Sequence, residues 1–196
     1  PELLNLISFL STYSPFVKHL ICSEFDWLND VINIDIEQVL DDIVEDCSND
    51  IGIDLFSSVR IAKRRTLLVI VLADFGSLFD LAKVTMSLSV FAQRILKVVM
   101  DRCTFGEFQR VNYRDFFKNV DCYPVEMHSS AQSSGLCALG MGKLGSVELN
   151  YSSDIDLIFI FDEEKYKPEC YAKIRKVFVM IVRKIVKALS EVTSTG

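Results

Sequence analysis

From the first residue to about position 122 apolar residues recur at three- and four-residue steps and glycine is sparse, a period that predicts helices rather than strands. Positions 30–54 hold nine acids and neither Lys nor Arg, with Val31, Ile34, Ile36, Leu40, Ile43 and Val44 set between them. That stretch reads as one acidic amphipathic helix. Its charged side is either plain solvated surface or a docking strip for a basic partner. Arg60, Lys63, Arg64 and Arg65 then form a basic turn expected on the outside, ahead of the apolar positions 66–73. Positions 78–100 continue the helical period through Leu81, Val84, Leu88, Phe91, Ile95 and Val98, so these segments are expected to be core helices of a bundle.

The pattern weakens over 112–135, where Tyr123-Pro124 and the run His128-Ser-Ser-Ala-Gln-Ser-Ser-Gly135 have the character of a linker. The expected division is a helical domain over 1–125 and a second domain over 126–196. In the second, 136–140 is short and apolar, 141–146 is glycine-rich, and 154–161 is an apolar run headed by two acids. A strand, a turn and a strand follow from that order. Positions 171–190 give the clearest helix, with Ile174, Val177, Phe178, Ile181, Val182, Ile185, Val186 and Leu189 on one face. Lys173, Arg175, Lys176, Arg183, Lys184 and Lys187 lie on the other. A helix packed on the preceding sheet with a solvated basic face is preferred over one lying on a membrane surface. The fold class is therefore α+β, helices first.

Composition narrows the function classes. The chain has 196 residues, 50% apolar and 24% charged, with a formal net charge of −6. This is globular composition and argues against disorder, collagen and coiled-coil repeats. The acidic balance offers no whole-surface attraction for nucleic acid, so no nucleic-acid partner is expected and any anion site must be local. The longest apolar run, 67–73, stops at Asp74, far short of the roughly 20 residues of a spanning helix. With no secretory signature at the start, a cytoplasmic location and no membrane partner are expected. Six cysteines without a Cys-x-x-Cys pair and two histidines argue against a zinc site or a disulfide framework, and most of the thiols are expected to be reduced. His128 is too isolated to assign and reads as a loop histidine. Pro1 in place of Met, and an end just after a helix, give the chain the look of an excerpt from something longer.

The chemistry is carried by Asp154-Ile-Asp156. At the head of a strand, acids at i and i+2 point to one side with backbones roughly 6.5 Å apart. Two fixed carboxylates joined by phosphate oxygens make the hard-oxygen surroundings that Mg²⁺ prefers, and they suit in-line phosphoryl or nucleotidyl transfer. Leu157-Ile-Phe-Ile-Phe161 follows directly, so the acids are expected at the mouth of a buried strand, where unpaired like charges demand a counter-ion. Ahead of them, Gly145-Ser146 closes a glycine-rich turn that lets backbone N–H groups approach an anion. Lys143 in that turn either reaches a phosphate or is an exposed turn lysine.

Gly-Ser, seven residues, Asp-x-Asp and an apolar strand together resemble the core signature of the nucleotidyltransferase superfamily that includes DNA polymerase beta. The longer run Ala138-Leu-Gly-Met-Gly-Lys-Leu-Gly-Ser-Val-Glu-Leu-Asn-Tyr-Ser-Ser-Asp-Ile-Asp-Leu-Ile-Phe-Ile-Phe161 resembles the glutamine synthetase adenylyltransferases, bifunctional enzymes that attach AMP to a tyrosine of glutamine synthetase and remove it. Glu148-Leu-Asn-Tyr-Ser-Ser-Asp-Ile-Asp156 is more similar to the N-terminal, adenylyl-removing copy. The region from Arg64-Arg65 through Leu72-Ala-Asp-Phe-Gly76 to Asp101 resembles the helical segment preceding that copy.

The resemblance implies a polymerase-beta-like mixed sheet with packed helices, incomplete at the C-terminal end. Gly145 and Ser146 would hold phosphate oxygens and Asp154 and Asp156 would bind Mg²⁺. Inorganic phosphate would attack the adenylyl phosphorus to release ADP and unmodified tyrosine, while a PII signal protein regulates the intact enzyme; ATP serves the opposite, adenylylating direction. Ser146 departs from the family's usual second glycine, although the superfamily accepts serine there. A third carboxylate is expected beyond Gly196, so 1–196 alone is expected to be weak or inactive. A uridylyltransferase would use the same pieces, and a non-catalytic helical regulatory module is the alternative from another class. The residue types suit either phosphate or a tyrosine hydroxyl as the attacking group.

Overall fold

The computed structural model describes residues 2–49, 54–110 and 130–190. The expected boundary near 125 lies outside these. The helices are α1 (Glu2–Tyr13), α2 (Pro15–Ser23), α3 (Phe25–Val31), α4 (Ile36–Asn49), α5 (Leu55–Phe75) and α6 (Leu81–Arg110). Strand β1 (Leu136–Met141), the single turn α7 (Gly142–Gly145), strand β2 (Asp156–Phe161) and α8 (Tyr171–Ser190) follow. The described architecture is α+β, mostly helical with one antiparallel pair of strands. The chain forms two compact units, Pro1–Ile95 with Ser146–Asp154, and Leu96–Gly145 with Ile155–Gly196.

In the first unit the helix starts are written into the sequence. Ser14 caps α2, its Oγ accepting from the Val17 N–H at 3.3 Å, with Pro15 in the first turn where a missing N–H costs nothing. Asp35, Asp54 and Asp80 accept first-turn N–H groups of α4, α5 and α6 in the same way. The acidic stretch is therefore interrupted: α3 ends at Val31 and α4 begins at Ile36, because Asp35 serves as a cap. Nor is its charged side wholly given to solvent. Glu37 pairs with Lys83 and Asp41 with Arg94, both on α6. Leu10, Val17, Leu20, Ile21, Leu28, Leu68, Val71 and Leu72 form a core, with Trp27 packed at its edge.

The expected basic turn is instead part of α5, a 21-residue helix. Arg64 Nε and Arg65 Nε donate to the two oxygens of buried Glu24 at 2.8 and 3.0 Å, and Arg65 lies 4.7 Å from the Trp27 ring centre. Glu24 sits where α2 passes into α3, so this charge cluster ties the turn to α5. Helical period alone does not reveal such a contact, made across 40 residues.

In the second unit α8 spans the expected residues and buries Ile174, Val177, Phe178, Ile181, Ile185 and Ala188. Phe178 stacks on Phe161 of β2 at 4.5 Å and meets Phe108 and Tyr166 edge-on. The helix thus packs on the hairpin as expected, though Val186 is exposed. Its other side is not simply solvated: Lys184 pairs with buried Glu107, and Arg175 lies 3.8 Å from Glu163. Cys22, Cys47, Cys103 and Cys137 are reduced, outside any disulfide, whereas Cys170 is disulfide-bonded, an exception to the reduced set. No helix among the described residues is long and apolar enough to cross a membrane.

Candidate functional site

The motif residues fall on a strand–turn segment and on the loop that follows. β1 and β2 pair in register from Leu136 opposite Phe161 to Met141 opposite Asp156. Alternation puts Leu136, Ala138, Gly140, Leu157, Phe159 and Phe161 on the partly covered face. Cys137, Leu139, Met141, Asp156, Ile158 and Ile160 lie on the open one. The expected buried strand is therefore covered on one face only among the described residues, and Asp156 heads an exposed apolar stripe.

The strand begins at Asp156, not at Asp154. Asp154 belongs to the preceding loop, so the strand-based argument for the two carboxylates sharing a side does not apply to it. Asp154 is an exposed residue of the first unit, and Asp156 is the exposed first residue of β2 in the second. Neither carboxylate has a hydrogen-bond or ion-pair partner among the described residues. Each is an exposed carboxylate, an oxygen donor of the hard kind that Mg²⁺ takes. No group of three or more His, Cys, Asp or Glu arranged for a metal is present among the described residues.

The glycines of the turn have steric reasons of their own. Gly142 has φ +52°, and a side chain there would begin 3.2 Å from Asp156 Oδ2. Its bareness brings the turn against the Asp156 carboxylate. At Gly145 a Cβ would lie 2.6 Å from the Gly140 carbonyl oxygen, so α7 can fold back on β1 only with glycine there. Lys143 is exposed on α7. Ser146 donates its hydroxyl to Glu148 Oε2 at 3.2 Å.

The loop carrying Asp154 is held by residues to which the motif reading gave no role. Val147 has φ +61°, a left-handed conformation uncommon for a β-branched side chain. Two residues on, buried Leu149 donates its N–H to Ser89 Oγ on α6 at 3.1 Å. Tyr151 donates its hydroxyl to Asp74 Oδ2 on α5 at 2.9 Å. Burial, reinforced by the Asp74 carboxylate, pushes the Tyr151 phenol well above its ordinary pKa. Asn150 organises the loop internally, its Oδ1 accepting from the Ser152 N–H and the Ser153 hydroxyl. These partners are 60 and 77 residues away in sequence, and no local pattern announces them.

Residues 6–196 match the protein family described as glutamate-ammonia ligase adenylyltransferase. The chain is 30% identical to the bifunctional glutamine synthetase adenylyltransferase/adenylyl-removing enzyme of Bartonella henselae, over 98% of this chain and 20% of that protein. It is 33% identical to the enzyme of the same description from Xanthobacter autotrophicus, over 93% of this chain and 18% of the relative. The chain thus spans about a fifth of the length of the curated relatives it matches. No solved structure matches.

Proposed function

The chain belongs to the glutamate-ammonia ligase adenylyltransferase family, and on that premise we propose that it is part of an enzyme controlling glutamine synthetase by reversible adenylylation, carrying the adenylyl-removing region. The observation that supports a working site most directly is the approach of Gly142 to the Asp156 carboxylate at the head of β2, two residues after Asp154 in the sequence. The β1–β2 hairpin with α8 packed behind it fits the opening of a polymerase-beta-like nucleotidyltransferase sheet, to which further strands would add.

Asp154 and Asp156 are the groups to hold Mg²⁺, which when bound supplies positive charge against the phosphate oxygens. Gly145 and Ser146 are the phosphate-binding positions, with Lys143 as the adjoining cation. Ser146 would exchange its Glu148 partner for a phosphate oxygen. In the removing reaction an oxygen of inorganic phosphate forms a bond to the adenylyl phosphorus while the bond from that phosphorus to the tyrosine oxygen breaks. ADP leaves, and the tyrosine oxygen takes up a proton. PII signal protein and ATP are partners of the enzyme as a whole, in the cytoplasm. The resemblance alone favours removal over addition.

The test uses the chain extended past Gly196 to include the expected third acid, incubated with AMP-modified glutamine synthetase, phosphate and Mg²⁺. Phosphate-dependent ADP that disappears in the variant Asp154→Asn/Asp156→Asn is the expected result. ATP-dependent AMP transfer in its place would assign the adenylylating direction. Silence in both directions would leave a non-catalytic helical module.

A further inference from the structure

The loop that carries Asp154 is built on residues of the helical unit, and we infer that Asp74, Ser89 and Tyr151 are positioning residues that hold this acid for its metal. The inference rests on the proposed metal role of Asp154 and extends it to the groups that set its place.

Val147 is a β-branched residue at φ +61°, which is unfavourable and persists only where surrounding contacts over-determine the chain. Two such contacts follow within four residues, on two different helices. Ser89 is fully buried; its hydroxyl donates to the Thr85 carbonyl at 2.7 Å and so presents its lone pairs to the Leu149 N–H. Leu149 is itself buried, so its N–H would otherwise lack a partner and bear the desolvation cost. Tyr151 adds a second fixed point on α5, a phenol donating to a carboxylate, the stronger charge-assisted kind of hydrogen bond. Two points on a short loop fix its direction as well as its place, and Asp154 is the third residue after the second point. Asp74 and Ser89 touch neither metal nor substrate and act through the loop.

The experiment uses the 196-residue chain, with amide hydrogen exchange over 147–153 as one readout and Mn²⁺ affinity, followed by the free-ion EPR signal, as the other. Tyr151→Phe, Asp74→Ala and Ser89→Ala are expected to speed exchange in the loop about fivefold, as loss of one hydrogen bond implies. They are expected to weaken Mn²⁺ binding about tenfold, in the range found when groups that orient metal ligands are removed. Asp74→Asn and Ser89→Thr keep an acceptor in place and should restore both values. Tyr151→Phe alters a half-exposed position, so its result is read with the melting temperature unchanged. Unchanged exchange in Tyr151→Phe and Ser89→Ala overturns the inference, as does faster exchange with undiminished Mn²⁺ affinity. In Asp154→Asn/Asp156→Asn, loss of Mn²⁺ binding with normal loop exchange is expected. Retained Mn²⁺ binding there would overturn the metal reading, while the exchange data continue to judge the two-point attachment separately.

Discussion

Tyr151 and Asp74 stand 77 residues apart in the chain, yet the phenol of one donates to Oδ2 of the other at 2.9 Å. Burial and the neighbouring carboxylate both favour the neutral phenol, so its pKa is higher in the folded state than in the unfolded one. The stabilisation is fully present below the ordinary phenol range and is lost as pH rises above about 10, where the unfolded chain releases the proton first. A tyrosinate absorbance titration should show the Tyr151 phenol ionising above the ordinary phenol range. Tyr151→Phe should delete that late step and reduce the fall in melting temperature between neutral and strongly alkaline pH. Identical titrations for parent and variant would refute the assignment.

Glu24 carries a heavier structural duty than its acidic character suggests. It is buried at the junction of α2 and α3 and receives two guanidinium donors, with side-chain exposures of 22% and 24%. Glu24→Ala would leave both arginines without that partner and should destabilise the chain by about 3 kcal/mol, the low end for a broken buried pair because the arginines retain some water. Thermal unfolding of this variant should therefore show a clear loss. Arg64→Ala alone should cost less, since Arg65 still holds the other oxygen.

Gly145 and Val147 flank Ser146 and should respond in opposite directions. Gly145→Ala forces a side chain onto the Gly140 carbonyl and is expected to destabilise the turn, with loss of soluble protein or a lower denaturation midpoint. Val147→Gly releases a left-handed β-branched residue and should raise stability by about 1 kcal/mol, provided the loop keeps its native course. Equal losses in both variants would contradict the steric account.

Cys103 is a core thiol whose pKa burial pushes up to about 11, with Glu107 adding to the effect and Lys184 and Arg102 opposing it. A disulfide-exchange reagent at mildly alkaline pH should therefore label exposed Cys22 and Cys137 promptly and Cys103 only on unfolding. Because the folded thiol keeps its proton longer, its contribution to stability is complete below the ordinary 9.0 and declines as pH rises toward about 11. Cys103→Ala should remove that part of the alkaline decline. Rapid labelling of Cys103 in the native chain would contradict its burial.

Much of the helical framework can be read from residue period. The sequence predicts α8 over the residues it occupies because its apolar positions repeat without a break, and β1 because a short apolar run ends in glycines. The exceptions have specific causes. The basic cluster at 60–65 is a long helix joined to Glu24, since two arginines with a buried acid are favourable where a bare basic turn would face water. The acidic run breaks at Asp35 because that side chain caps a helix better than it continues one. Asp154 precedes the strand rather than starting it, as the Asn150-centred turn occupies the residues just before. In the candidate site the motif marks the acids and glycines, whose types and spacing are local. It does not mark Ser89 or Asp74, whose part depends on contacts that only the folded chain brings about.

The open face of the β1–β2 hairpin bears on how the chain behaves at high concentration. Leu139, Ile158 and Ile160 lie bare on it, and each strand has hydrogen-bonding groups along an outer edge with no strand beside it among the described residues. Such an edge is a template for another strand, so two copies meeting edge to edge would extend one sheet and cover apolar surface in the same event. A lysine at position 158 would oppose that encounter while leaving the phenylalanines packed against α8 undisturbed.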